Sequence, residues 1–322
     1  MNSSSHKLQL SGDKKYLLSF KSQDSLSKLL LRSVAWTVIG LLTIMIILLT
    51  RESFIAIEEF GLEFITTSYW NPVLEEFGGL AFIYGTLVTS FIAILLAAPL
   101  SILVALFIQE VCPDWIGKTL GLLVEMIAAI PSIVFGLWGL FFLAPIVREY
   151  IAPFLRQTFG FLPIFQGPSF GIGVLTASII LAIMIVPTIT SLCREVFKVV
   201  PSHQREAALA LGATRFEMMK IAVFSPSLSG IIGASVLGLG RALGETMAVA
   251  MVIGNSPAIV ASIFAPGATL ASVIANEYAE STSDMHVAAL CLIGLVLFVI
   301  TFIVNFIARG VIWHYTRKQG NR

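Results

Sequence analysis

Long apolar runs alternate with short polar connections along this chain. A hydrocarbon core of about 30 Å needs roughly 20 apolar residues per helix. Six runs meet that length, at about 29–50, 80–109, 118–143, 170–193, 224–253 and 287–309. Pro99, Pro131 and Pro187 fall inside three of them, which a spanning helix tolerates where neighbours re-satisfy the freed carbonyl. The pattern predicts an all-α integral membrane protein with six transmembrane helices. It divides the chain into a polar, basic arm (1–28), a first helix with an acidic segment behind it (29–79), a five-helix domain (80–310) and a tail (311–322). Residues 51–79 carry Glu52, Glu58, Glu59, Glu63, Glu75 and Glu76 among Phe, Ile and Leu. They are expected to form an amphipathic surface helix with Trp70 at the membrane interface. The stretches 144–169 and 254–286 are similarly mixed, and each either docks a partner or caps the bundle.

Composition agrees. Hydrophobic residues make up 57% of the 322 and charged residues 12%, against about 25% charged in soluble domains. The placement of the charges carries more than their sum. With the N-terminus in the cytoplasm, sixteen lysines and arginines lie on that side and three (Arg51, Arg148, Arg156) on the other, with Arg241 inside the membrane. Both termini are therefore expected to be cytoplasmic. The first 33 residues lack an apolar run followed by a small-residue cleavage site, so the first segment is expected to stay as an anchor. Cys112, Cys193 and Cys291 are scattered, as are the four histidines. They offer neither a disulfide framework nor metal-ligand spacing.

Two charges interrupt the fifth run, in "GLGRALGETMAV" at 238–249. A central arginine costs about 2.5–3.5 kcal/mol on insertion scales, so Arg241 must face protein or water. On a helical wheel Arg241 and Glu245 share a face with Ser227, Gly230, Ala234, Gly238 and Ala248. Those small residues either admit a neighbouring helix closely or leave a wet lumen beside the cation. On an isolated helix Glu before Lys is the better order at i, i+4, and Arg before Glu is by analogy the poorer. Glu125, in "LLVEMIAAIPS", is either a partner for a membrane cation or an interfacial residue seven positions after Lys118. Thr246 and Ser132 are weaker candidates for donating hydrogen bonds to a passing anion, since hydroxyls in spanning helices often bond back to their own backbone.

The longest predicted cytoplasmic loop reads "VVPSHQREAALALGATRFEMMKIAVFSP", residues 199–226. Pro201-Ser202 marks a helix start with Ser202 as N-cap, Gly212 a stop, and Thr214-x-x-Glu217 a capping box for a second helix. Ala207, Ala208 and Ala210 leave a smooth surface flanked by Arg205 and Glu206. A "GKT" at 117–119 lacks the glycine that a phosphate-cradling loop needs five residues earlier, where Cys112 stands. The chain is therefore expected to be no enzyme, and any ATP hydrolysis to come from a separate subunit.

Glu206-Ala207-Ala208, then three intervening residues and Gly212, resembles the EAA loop of type I ABC-importer permeases. The family's Ile-x-Leu-Pro after that glycine is replaced here by Ala222, Val223, Phe224 and Ser225, with Pro226 one place late. The resemblance implies a MetI-like transmembrane domain. It also implies a coupling helix, built on Arg205, Glu206, Ala207, Ala208 and Gly212, that sits in a groove of an ATPase. "SYWNPV" (68–73), "AAIPSIVFGLWGLFFLAP" (128–145) and "GLGRALGETMAV" are similar to the PstC-type permeases of Pst phosphate importers. That likeness implies location in a bacterial inner membrane and pairing with a PstA-like second permease. It further implies two PstB-like ATPase subunits holding the ATP, a PstS-like phosphate-binding protein outside, no cofactor in this chain and no nucleic-acid partner. Phosphate carries one to two negative charges, and an arginine fork matches its oxygens. Arg241 is thus expected to line a phosphate pathway, with Glu245 holding it when the lumen is empty. A permease for sulfate or molybdate is the alternative. An ion-coupled transporter or channel is a third reading, which leaves the EAA loop unexplained.

Overall fold

A computed structural model describes residues 4–320, with side chains described for residues 27–310 and Trp313. Two compact units are present, residues 1–52 and 53–322. The first is one helix, α1 (Ser4–Glu52), whose Ser27–Glu52 part is long and apolar enough to span. In that part Thr37, Thr43 and Thr50 each donate to the carbonyl four residues earlier. A membrane offers them no water, so this back-bonding removes the cost of carrying them there.

The second unit holds five further spanning helices: α3 (Leu80–Val111), α5 (Ser132–Phe159), α6 (Val174–Lys198), α8 (Arg215–Leu243) and α11, whose spanning part is Asp284–Gly310. Between them lie α2 (Phe54–Phe60), α4 (Asp114–Ala128), α7 (Ser202–Ala210), α9 (Met247–Val252) and α10 (Leu270–Glu277). Helix α6 is the central post, with 72% of its apolar window buried against 28–33% for the other four. It can be central because its neighbours present small residues. On α3, Ala93, Ala97, Ser101 and Ala105 recur every fourth position and are all fully buried. Helix α8 contributes Gly230 against Val196 and Gly238 against Ile189. Lipid tails are as apolar as leucine, so such close backbone approach and its dispersion contacts replace the hydrophobic drive that holds a soluble bundle. Ser101 adds a polar tie, donating both to Ala97 O at 2.7 Å and across to Val186 O of α6 at 3.2 Å.

The structure corrects three expectations. The third span is Ser132–Phe159, not 118–143. Pro131 precedes the first residue of α5, a position where its missing N–H costs nothing, so α4 is a separate amphipathic helix. The fifth span stops at Leu243 instead of running to 253. Finally, 51–79 is no single surface helix. It folds into α2, one turn at Glu63–Thr66, and a hairpin of β1 (Trp70–Asn71) and β2 (Glu76–Phe77). Trp70 is buried, edge-on to Phe77 and Phe82 at 4.7 and 5.0 Å, and donates from Nε1 to Glu277 Oε2 at 2.9 Å. His286 Nε2 meets the same oxygen at 3.0 Å.

A β-carbon added to Gly85 of α3 would run into the carbonyl of Ala268, a backbone atom that no rotamer change moves. Gly233 of α8 has open space at the same test. Gly85→Ala should therefore lower stability by about 1–3 kcal/mol through overpacking. Gly233→Ala should be neutral or raise it by up to about 1 kcal/mol. Thermal unfolding of the purified complex compares the two.

Candidate substrate pathway and coupling loop

The two membrane charges lie on different helices. Helix α8 ends at Leu243, Gly244 caps it, and α9 starts at Met247. Arg241 stands in the last turn of α8 and Glu245 just ahead of the first turn of α9. A cation at a helix C-terminus and an anion at an N-terminus are each favoured by the helix dipole, typically by about 0.3–1 kcal/mol. The order that is unfavourable on one continuous helix is therefore the favourable one across a break. Glu245 Oε1 accepts from Ala248 N at 3.4 Å, and Thr246 Oγ1 turns back to Gly244 O at 3.2 Å.

Glu245 does not hold Arg241. No ion pair joins them among the described residues. Arg241 Nη1 instead donates to Thr188 Oγ1 of α6 at 2.8 Å. Thr188 follows Pro187, where α6 lacks a backbone donor. Sequence reasoning missed it because nothing local ties position 188 to position 241. On the small face of α8 the first of the two alternatives, close approach of a neighbouring helix, is the one found. Ser227, Ala234 and Gly238 are buried, and the helix packs there against α6, so they serve close contact instead of lining a lumen. Arg241, half-buried, closes that contact at Thr188, and Glu245 is half-buried as well.

Helices α5 and α9 run side by side in the same direction. A side chain at Gly136 would meet Ala248 and Met251, and one at Gly139 would meet Val252. Ser132, the half-buried first residue of α5, thus starts its helix alongside the start of α9. Glu125 is not among this group. It lies on α4, is 61% exposed, and reaches Arg194 Nη1 at 3.9 Å.

The loop helix α7 is built as its sequence suggests, with one change at its start. Pro201 stands ahead of the helix and Ser202 is its first residue, with no side-chain cap. At the other end Gly212 adopts φ +85°, Gly212 N donates to Leu209 O at 3.0 Å and Ala213 N to Ala208 O at 3.1 Å. This is a Schellman stop, which needs a residue at ease in the left-handed region. Thr214 and Glu217 form the expected capping box, Glu217 N donating to Thr214 Oγ1 and Thr214 N to Glu217 Oε2. Glu206, Ala207 and Ala210 are exposed, as is Leu211 at 90%.

Arg205 points inward. Its Nε and Nη2 both donate to the Glu110 carboxylate, the shortest contact being 2.7 Å. Nη2 also donates to Phe197 O at 2.9 Å, and Nη1 to Val200 O. The Glu110 side chain is only 5% exposed. It belongs to a π turn, Phe107–Val111, that closes α3. The pair bolts the loop helix to the end of α3, a connection that neither residue advertises in sequence, since 95 positions separate them.

A multi-helix membrane bundle with an interrupted helix, and with an exposed loop helix braced from within, is the build of a transporter subunit driven from outside the membrane. The chain belongs to the family of binding-protein-dependent transport system inner membrane components, whose model matches residues 98–312. It is thus a multi-pass membrane subunit of a transporter that works with a substrate-binding protein and an ATPase. It is 48% identical over 265 residues to the phosphate transport system permease protein PstC of Xylella fastidiosa, covering 81% of this chain and 82% of the relative. It is 44% identical over 305 residues to the protein of that name in Mesorhizobium japonicum, covering 94% and 93%. Its fold matches a chain of a bacterial alginate ABC transporter, solved with an alginate-bound periplasmic protein, at TM-score 0.57 and 16% identity over 88% of this chain and 92% of that one. A chain of the MetNI methionine ABC transporter matches at TM-score 0.54 and 16% identity, over 73% and 95%.

Removing one partner of the Glu110–Arg205 pair leaves the other charge buried. Arg205→Ala should cost about 3–5 kcal/mol, whereas Arg205→Met combined with Glu110→Leu should recover most of the loss. Thermal unfolding of the assembled complex measures both.

Proposed function

We propose that this chain is the phosphate permease of an ATP-driven importer, forming half of its translocation pathway. The observation that carries the reading is the 48% identity, over four-fifths of the chain, to a protein named as a phosphate transport permease. Beside it stands an arginine at a helix break within the bundle. The lysine and arginine distribution orients the loop helix and both termini to the cytoplasm of the inner membrane. In this reading a PstA-like permease supplies the other half of the pathway. Two PstB-like subunits hydrolyse ATP, one of them docking on the exposed Glu206, Ala207, Ala210 and Leu211 face of this chain. A PstS-like protein delivers phosphate at the opposite surface.

The geometry suggests how an anion passes. Arg241 rests on a neutral hydroxyl, Thr188, instead of a carboxylate. A hydroxyl satisfies one guanidinium N–H without neutralising the charge, so the positive potential stays available to phosphate. Phosphate displaces Thr188, takes the fork in bidentate fashion, and meets donors at the neighbouring helix starts, with Ser132 and Thr246 as hydroxyl candidates. Glu245, placed one turn after the arginine, weakens anion affinity and favours release, as a pathway site must. Because the helix is interrupted here, backbone N–H groups at the break also face the pathway, a use of half-helices common in transporters.

The experiment is radiolabelled phosphate uptake into proteoliposomes carrying the whole complex. Arg241→Gln should keep ATP hydrolysis but slow uptake about a hundredfold, the effect of losing two charge-assisted hydrogen bonds. Arg241→Lys, which keeps charge without the fork, should fall between. Unchanged uptake in Arg241→Gln overturns the pathway assignment. Uptake of sulfate or molybdate in place of phosphate identifies another oxyanion as the substrate.

A further inference from the structure

Near the loop-helix end of the bundle, between the end of α3, the start of α4 and the end of α6, lies a cavity of about 190 Å³. Gln109, Cys112, Asp114, Lys118, Arg194 and Lys198 line it. Its lining is largely polar, and Arg241 and Thr188 take no part in it. Its chief feature is an underpaired guanidinium. The Arg194 side chain is only 16% exposed; among the described residues its buried Nε has no hydrogen-bond partner and its ion-pair partner is Glu125 at 3.9 Å, a mostly exposed carboxylate. The guanidinium lies against Gly121, where an added β-carbon would meet it. Leaving a buried charged donor short of partners is costly, and a fold that also makes room for the group implies something that satisfies it.

Two ammonium groups stand by. Lys118 has no ion pair among the described residues, and Lys198 has a loose one, Glu195 at 3.8 Å, with both side chains about two-thirds exposed. The acidic neighbours are therefore Asp114, Glu125 and Glu195. Asp114 is in the first turn of α4, where the helix dipole already engages its charge, and the two glutamates point largely to solvent. Three cations on two helices suit a ligand with three accepting oxygens. A tetrahedral phosphoryl group offers them, one to the planar fork and one to each ammonium, whereas a carboxylate has only two.

We propose that this cavity binds a phosphoryl anion and that its occupancy stiffens the coupling turn. Gln109 belongs to the π turn Phe107–Val111 and Cys112 follows it. The same turn carries Glu110, the carboxylate held by Arg205 of the loop helix. A ligand here ties that turn to α4 and α6, so it acts on the connection through which the loop helix reaches α3. The phosphoryl group comes either from free inorganic phosphate or from an anionic phospholipid headgroup.

Cys112 reports occupancy. In the complex carrying Cys193→Ala and Cys291→Ala, the rate of maleimide labelling at Cys112 is followed in nanodiscs of phosphatidylcholine alone, with inorganic phosphate added, or with phosphatidylglycerol included. Slower labelling with inorganic phosphate assigns the site to free phosphate, and slower labelling only with phosphatidylglycerol assigns it to lipid. Either protection should weaken about tenfold in its concentration dependence in Lys118→Gln/Lys198→Gln. It should persist in Arg241→Gln, which separates this site from the proposed pathway. Where Cys112 resists labelling throughout, Gln109→Cys in a Cys112→Ala background serves as the reporter under the same criteria. Labelling unaffected by both phosphate and phosphatidylglycerol, or protection undiminished without the two lysines, overturns the proposal.

Discussion

A charge inside a membrane must be given a reason to stay charged, and here the reason is that a helix ends there. Arg241 and Glu245 fall on either side of a break, each at the helix terminus whose dipole favours it. Were α8 continuous, the pair would sit at i, i+4 in the poorer order, in a low-dielectric medium and with few donors nearby. Interrupting the helix frees backbone N–H groups, and the packing of α8 on α6 gives Arg241 a neighbour on another helix. The cost of an irregular backbone at membrane depth is tolerated where protein or a water-lined cavity covers it. The rest of the bundle is arranged to do that covering.

Close packing makes this possible. Helix α6 is wrapped by α3, α4, α8 and α9, and where α3 and α8 meet it they offer alanine, serine or glycine. Small side chains bring backbones near enough for dispersion and for cross-helix hydrogen bonds from Ser101 and Thr190. A rigid post results, and Thr188 on that post can hold a guanidinium in a defined position. Preorganisation of this kind lets a single hydroxyl orient an arginine without neutralising it.

At the other end the same logic serves force instead of charge. An exposed, alanine-rich helix is a poor lever unless something fixes it to the bundle. The Glu110–Arg205 pair does so with a buried, multiply hydrogen-bonded contact. Buried ion pairs are weak contributors to net stability but strong determinants of geometry, because misalignment leaves both charges unsatisfied. A pull on α7 therefore reaches the π turn of α3 directly. The underpaired Arg194 shares a cavity with Gln109 of that turn.

What the sequence alone determined is what local chemistry controls. Apolar length marked six spans, and Pro201, Gly212 and the Thr214–Glu217 box marked the loop helices, because each acts within a turn of itself. The family was legible from the EAA loop for the same reason. Segment limits went astray where a local backbone break falls inside an apolar run. Pro131 and Gly244 end helices inside runs that remain apolar throughout, and a hydropathy window averages across them. Trp70 was expected at the membrane surface but is buried by Phe77, Phe82 and Glu277, the last 207 positions away. Arg205 was expected to face the ATPase, yet its partner is 95 positions distant on another helix. Only the folded chain decides such pairings, since they depend on which helix ends arrive together and periodicity carries no information about that.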